Sequence, residues 1–398
     1  MNVLVIGRAL PEQSSGMIGT FELGQARALA KVGCASVYGY VDFRSVKSNR
    51  RYGRGISLDV DGIPVVGVGA PLRGLPAAII EHERTKALIS LFERAREKTA
   101  SRTIDVVYAH FPLLTLTQGF LDYLATRSTP LVVLEHWSHV LNKTLNPIES
   151  RLLASLVFQS KRFMCVSQDL ADAVCDLTGC PSDAILVVPN MVSHEVFHPA
   201  QADGNPKRSD APRRDGARSD AAGPFVAVGR LVPEKRYDML IEAYALAFPQ
   251  HERRLVIAGE GKLHRRLASE IRLRGLGGHV SLLGFKKPHE VADLLRGACG
   301  YVSASDIETF GVPFVEAWMC GTPCVGADTN PLRTLFSDRN GVLFEVGSVR
   351  SLADALRALA KRDESYDRMA ISAEACRMFS EESVIERVSM VLQSSLEL

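Results

Sequence analysis

A chain of 398 residues with 46% hydrophobic and 23% charged side chains is too apolar for a disordered or collagen-like protein and too long for one ordinary core, so two domains are expected. Its 47 basic and 45 acidic residues leave a formal charge of +2, which gives no general reason for coating a polyanion. Eight cysteines at positions 34, 165, 175, 180, 299, 320, 324 and 376 form no Cys-x-x-Cys pair and lack histidines at ligand spacing; they read as reduced thiols of a cytoplasmic protein with no metal site.

The chain opens on Met1–Gly7, which is only a strand long and lacks the basic flank and cleavage site of a signal peptide. Short β-branched runs then alternate with amphipathic stretches. Strands are expected at Val3–Ile6, Ser36–Tyr40, Val106–Ala109, Leu131–Leu134, Arg162–Val166 and Ile185–Val188, and helices at Thr20–Lys31, Ala78–Lys98, Leu114–Thr126, Pro147–Gln159 and Gln168–Leu177. Continuous apolar strands joined by crossover helices make a doubly wound α/β domain over residues 1–199. Asp59-Val60-Asp61 has the spacing of a metal-binding carboxylate pair, but it precedes Gly62 and an apolar run and reads as a hairpin turn. Arg44, Lys47, Arg50, Arg51 and Arg54 form a basic run with Tyr52; it reads as a solvated loop or as a docking patch for an anionic membrane or lipid phosphate, not for nucleic acid.

Residues 200–223 are dominated by Gly, Pro, Asp, Arg and Ser and read as a flexible linker. The alternation restarts at Phe225–Gly229 and runs through strands Leu255–Ala258, Val280–Gly284, Gly300–Ala304, Pro323–Gly326 and Gly341–Phe344, with helices between them, giving a second α/β domain over 224–378. Residues 379–398 form an amphipathic helix. Two such domains would leave a cleft at their strand ends. No apolar run is long enough to span a membrane, so membrane contact is expected to be peripheral.

The most informative stretch is Ser305–Pro323. A polar loop follows the strand, Pro313 stands where a helix begins and Gly321 where it stops. Amides at Gly311 and Val312 would point out of the helix N-terminus as an anion site, with Glu308 in the loop before it and Glu316 in the first turn after it. Glu316 either complements the helix dipole or binds hydroxyls; Glu308 either is a loop acid or faces a sugar. Arg230 directly follows a strand and Lys235 is expected at the start of the next helix, so a guanidinium fork and a point charge can hold a diphosphate whose charge grows as a bond breaks. His110 and His136 end neighbouring strands, where each is either a packed residue or a participant in chemistry. Asp105, Glu135, Asp169 and Asp172 are further acids, of which the last two read as helix N-terminal residues.

Glu308 and Glu316, seven residues apart inside E-T-F-G-V-P-F-V-E-A-W-M-C-G-T-P-C-V, resemble the E-x7-E signature of the retaining glycosyltransferases of family 4. The resemblance covers nearly the whole chain. Gly16 with Ala28–Gly33 is similar to the family's glycine loop and first helix, with Met17 in place of a second glycine. Asp105–Phe111, Leu134–Ser138, Val188-Pro189-Asn190 and Val228-Gly229-Arg230-Leu231 with Lys235 are similar to further family segments.

The resemblance implies a GT-B fold, two Rossmann-like domains facing a cleft with a C-terminal helix crossing back to the first. It implies a metal-independent, cofactor-free enzyme that moves a sugar from a nucleotide diphosphate sugar to a hydroxyl of a glycan or lipid-linked saccharide, as in polysaccharide biosynthesis. Arg230 and Lys235 would hold the diphosphate, Glu316 the ribose, and Glu308 the transferred sugar, with Phe310, Gly311 and Val312 in the donor loop. Gly16 would let the backbone approach the donor phosphate, His136 would stand beside the reacting sugar or acceptor, and His110 would line the first-domain cleft. Thr329–Thr334 departs from the family's Gly-Gly turn and following glutamate, which leaves the sugar open. An epimerase on the same fold and a nucleotide-sugar-binding protein without transfer are the other readings.

Overall fold

Parallel strands buried on both faces need helices above and below, and the chain supplies them between most successive strands. The computed structural model describes residues 1–11, 19–42, 55–70, 75–200 and 223–397. Gly16, the basic run Arg44–Arg54 and most of the expected linker lie outside the described residues.

The first elements are β1 (Asn2–Gly7), α1 (Thr20–Lys31), β2 (Ala35–Asp42), β3 (Ile56–Val60), β4 (Ile63–Gly69), α2 (Ala77–Arg96), β5 (Val106–His110), α3 (Pro112–Thr115) and α4 (Gln118–Thr126). They continue as β6 (Leu131–Glu135), α5 (Ser138–Leu141), α6 (Pro147–Gln159), β7 (Arg162–Cys165), α7 (Gln168–Thr178) and β8 (Ile185–Val187). Their sheet has the order β3-β4-β2-β1-β5-β6-β7-β8, parallel throughout except for the β3/β4 hairpin. That hairpin is the expected turn: Asp61 and Gly62 both have positive φ, and Asp59 Oδ1 accepts the Gly62 N–H at 2.8 Å.

The second set is β9 (Phe225–Val228), α8 (Tyr237–Ala247), β10 (Leu255–Ala258), α9 (His264–Leu273), β11 (Val280–Leu282), α10 (Pro288–Arg296) and β12 (Gly300–Val302). It ends with α11 (Val312–Met319), β13 (Cys324–Ala327), α12 (Asn330–Arg333), β14 (Gly341–Phe344), α13 (Val349–Arg362) and α14 (Arg368–Phe379), after which comes α15 (Glu381–Ser394). Its parallel sheet has the order β11-β10-β9-β12-β13-β14. In each sheet the strand order reverses beside the first strand, between β1 and β5 and between β9 and β12, and that crevice is where ligands of such sheets bind.

The chain divides into one unit of residues 1–191 with 381–398 and another of residues 192–380. The segment 192–199, expected with the first domain, belongs to the second unit. Val192 N–H donates to Phe379 O at 2.9 Å, and Arg296 Nη1 donates to Val196 O and His198 O, so its backbone is satisfied there. The C-terminal helix joins the first unit, burying Val384, Ile385, Val388 and Leu392, and Lys31 pairs with Glu381 at 3.2 Å. It starts only after Ser380, which is extended and bridged to Val192.

The expected helix Leu114–Thr126 is two helices. Leu116 and Thr117 are extended, and Thr117 caps α4 with its hydroxyl on the Phe120 N–H. No helix among the described residues is long and apolar enough to cross a membrane.

Gly321 ends α11 at φ +76°, where a Cβ would stand 2.7 Å from the Arg368 carbonyl; Gly347 has φ +75° with nothing within 4 Å. Gly347→Ala therefore carries only the left-handed penalty of about 1 kcal/mol, whereas Gly321→Ala adds a backbone clash and should cost on the order of 2–4 kcal/mol. Denaturant unfolding of the second unit measures both, and equal losses would show that the Arg368 contact contributes nothing.

Candidate functional site

In the second unit, the loops after β9, β10 and β11 are bonded into one platform at the carboxyl edge of the sheet. Gly229 N–H donates to Ala258 O at 3.0 Å, Leu231 N–H to Glu260 O at 2.8 Å, and Gly259 N–H to Gly284 O at 2.8 Å. Such close approach needs glycine: a Cβ on Gly259 would lie 1.8 Å from Gly229 O. Arg230 projects from this platform, exposed, its side chain without an ion pair or hydrogen bond among the described residues.

Lys235 lies in a single 3-10 turn, Pro233–Lys235, and not in α8 as its spacing suggested; Arg236 follows in the left-handed region and caps the helix. Across the β9/β12 crevice, Lys235 Nζ meets Glu308 Oε1 at 2.6 Å, with 26% and 10% of the side chains exposed. Beside it Arg236 Nη1 meets Asp306 Oδ2 at 2.5 Å. Glu308 and Lys235, expected to bind sugar and diphosphate, are thus paired with each other.

Gly311, at φ +90°, caps α11, and the N–H groups of Gly311 and Val312 make no hydrogen bond among the described residues. Phe310 is 4% exposed with its ring edge-on to Phe379, so only its backbone can face a ligand. Glu316 is the fifth residue of α11, one place further in than expected because the helix starts at Val312 and not at Pro313. Its carboxylate has no hydrogen-bond partner among the described residues. Although part of the residue's surface stays open, the protein packed around the carboxyl strips its hydration and raises its pKa to about 8.

In the first unit, the register pairs Ile6 with Ala109, which sets Arg8 level with Phe111 across the β1/β5 crevice. Arg8 Nε donates to Glu22 Oε1 at 2.7 Å, and its guanidinium lies over the Phe111 ring at 3.5 Å. Phe111 in turn stacks on His136, with centroids 4.5 Å apart. His136 Nε2 faces His110 Nδ1 at 3.1 Å. Burial holds both imidazoles uncharged, taking His110 down to about 4 and His136 well below its usual range, with nearby Arg8 adding to both effects. One of the two facing nitrogens therefore carries a proton and the other accepts it.

Glu135 fixes the loop that carries His136: its Oε1 accepts the N–H groups of His136 and Trp137 at 2.8 Å each. Burial lifts this carboxyl to about 7 against the pull of those two bonds. Asp105 lies away from this cluster, accepting the Asn2 N–H at 2.8 Å. Among the described residues, no group of three or more His, Cys, Asp or Glu side chains is arranged to hold a metal ion.

Residues 213–375 match the family described as Glycosyl transferases group 1, and residues 27–196 match Glycosyltransferase Family 4. A D-inositol 3-phosphate glycosyltransferase of Geodermatophilus obscurus is 30% identical over 344 residues, spanning 78% of this chain and 73% of the relative. The chain belongs to the group 1 glycosyltransferases. A second relative of this glycosyltransferase is the phosphatidylinositol N-acetylglucosaminyltransferase GPI3 subunit of Saccharomyces cerevisiae, 26% identical over 324 residues, or 80% of this chain and 70% of the relative. The GT-B fold is shared with the crystal structure of Anabaena HepE in complex with UDP, at TM-score 0.73 and 19% identity over 99% of this chain and 100% of that one.

In this glycosyltransferase the strand-end histidines and the E-x7-E acids were legible from sequence. Arg8, Glu22, Arg236 and Asp306 were not singled out. Glu22 had a signal: it falls on the stripe of α1 that also buries Gln25, Ala26 and Leu29, where a lone acid needs a partner. Arg8 had a weaker one, a cation directly after the first strand.

A carboxyl whose pKa rises on folding from about 4.3 to about 8 binds its proton more tightly folded than unfolded, so the fold loses stability as pH climbs through that window. In ligand-free Glu316→Gln that loss is gone, and the fall in melting temperature of the second unit between about pH 5 and about pH 9 should shrink. Calorimetry at both pH values measures it; an unchanged fall would mean that the Glu316 carboxyl is hydrated.

Proposed function

We propose that this glycosyltransferase transfers a sugar, with retained anomeric configuration, from a UDP- or GDP-sugar to a hydroxyl of a glycan or lipid-linked saccharide, without a metal ion. The observation that carries the donor assignment is the set of unspent groups at the second unit's crevice. Free N–H groups at Gly311 and Val312, the unpaired Arg230 and the exchangeable Lys235 suit a diphosphate, and the unpartnered Glu316 suits paired ribose hydroxyls. UDP, and UDP with glucose, in HepE structures support a nucleotide-sugar donor.

When the diphosphate enters, Lys235 turns to it and leaves Glu308 to accept hydrogen bonds from the sugar hydroxyls. The bond between the anomeric carbon and the phosphate oxygen breaks while the acceptor oxygen bonds that carbon from the same face, and the acceptor proton passes to the departing phosphate. Arg230 and Lys235 stabilise the negative charge that grows there, the role a divalent cation would otherwise fill. The neutral His136 lies on the first unit, which receives the acceptor; an uncharged ring can donate to or accept from a hydroxyl. The setting proposed is the cytoplasm, with peripheral contact to an anionic membrane.

Lys235→Ala should lower nucleotide release from donor by on the order of a hundredfold or more, as loss of transition-state charge stabilisation does. Glu308→Gln should reduce kcat by a similar order while leaving nucleotide affinity within a few-fold; equal losses in kcat and affinity would remove the sugar from Glu308. Proton NMR of the first-formed product should show the donor's anomeric configuration, and inversion would sink the front-face mechanism. Conversion of donor without acceptor would point to epimerisation instead.

A further inference from the structure

Arg8 is held on two sides and free on the third. Its Nε edge is fixed by Glu22, which is fully buried, and its face by Phe111, but its two terminal amino groups make no hydrogen bond among the described residues although the side chain is 24% exposed. Both supports are built at some cost. Glu22 leaves its second oxygen, Oε2, buried without a partner, and Phe111 holds a bulky ring at φ +49°, in the left-handed region. Gly7 makes the anchor possible, since a Cβ there would lie 2.8 Å from the Glu22 Cβ and 2.2 Å from the Tyr38 hydroxyl. A surface arginine serving solubility needs none of this. Because Glu22 takes only the Nε edge, the end fork of the guanidinium keeps the spacing that matches two oxygens of a phosphate. The fork stands at the β1/β5 reversal, the crevice of this sheet suited to ligands, beside two imidazoles that carry no charge.

We propose that Arg8 is a phosphoryl-binding residue: its terminal amino groups take two oxygens of a phosphate ester carried by a substrate, in the first instance the acceptor. The inference rests on the reading that the first unit receives the acceptor, and it makes a phosphate-bearing acceptor the preferred class. The same chemistry could be presented by the donor's diphosphate, and binding measurements separate the two sources.

The test uses the full chain, inorganic phosphate and UDP, with affinities from calorimetry. In wild type, phosphate binds in the presence of saturating UDP. Arg8→Gln should weaken that phosphate binding tenfold or more and leave UDP affinity within twofold. A tenfold loss of UDP affinity instead keeps the phosphoryl site and gives its source as the donor. Arg8→Lys retains the charge opposite Glu22, and so the fold, but lacks the fork; it should bind phosphate several-fold more weakly than wild type, and wild-type affinity in this variant overturns the bidentate assignment. Unchanged binding of both ligands in Arg8→Gln, with an unchanged melting temperature, overturns the proposal altogether. A chain that binds phosphate through Arg8 but turns over no nucleotide sugar would leave this site standing and remove the transferase reading of the crevice in the second unit.

Discussion

A parallel strand that runs through a core ends with its last backbone groups pointing out of the sheet, and where adjacent crossover helices leave in opposite directions nothing covers that end. Both sheets reverse beside their first strand, so β1/β5 and β9/β12 each leave such an opening. The side chains gathered there are poorly hydrated yet not fully paired. The unengaged amides of Gly311 and Val312 follow from that opening, while the raised carboxyls of Glu135 and Glu316 and the neutral histidines follow from burial in the protein packed beneath it.

The two openings are furnished differently. In the second unit the charges are lightly held: Lys235 pairs only with Glu308, and the Arg230 side chain makes no ion pair or hydrogen bond among the described residues. On the proposed reading, that suits a group whose charge changes during reaction. In the first unit the charges are locked, with Arg8 pinned to a buried acid and an aromatic face, and the imidazoles stacked in series behind it. That suits recognition of a fixed shape.

Much of the fold was legible because most strands are uninterrupted apolar runs and amphipathic stretches separate them. The break at Thr117 was not legible because no Gly or Pro stands at it: Leu114–Thr126 keeps a helical alternation, and the hydroxyls of Thr115 and Thr117, bonded to backbone groups, decide where one helix stops and the next starts. That Glu308, Glu316, Arg230 and Lys235 stand at the carboxyl edge of one sheet was legible through their spacing after β9 and β12. Their pairing was not, since Lys235 meets Glu308 only because β9 and β12, far apart in sequence, are neighbours in the sheet. Arg8 and Glu22 were hidden for the same reason: a cation after a strand is ordinary until the helix that follows is seen to bury an acid against it.

The second unit is an uninterrupted stretch, 192–380, set inside the sequence of the first, and its two ends are bridged at Val192 and Ser380. On the ribosome, therefore, the inserted unit can finish folding while the first still lacks α15, the helix against which α1 packs. Once the rest of the first unit has emerged, the flank of α1 that will meet α15 stays exposed for as long as the nearly 200 residues of the second unit take to follow, roughly 10–40 s at ordinary synthesis rates. The exposed cations of α1, Arg27 and Lys31, then also keep a half-made domain dispersed while it waits for its closing helix.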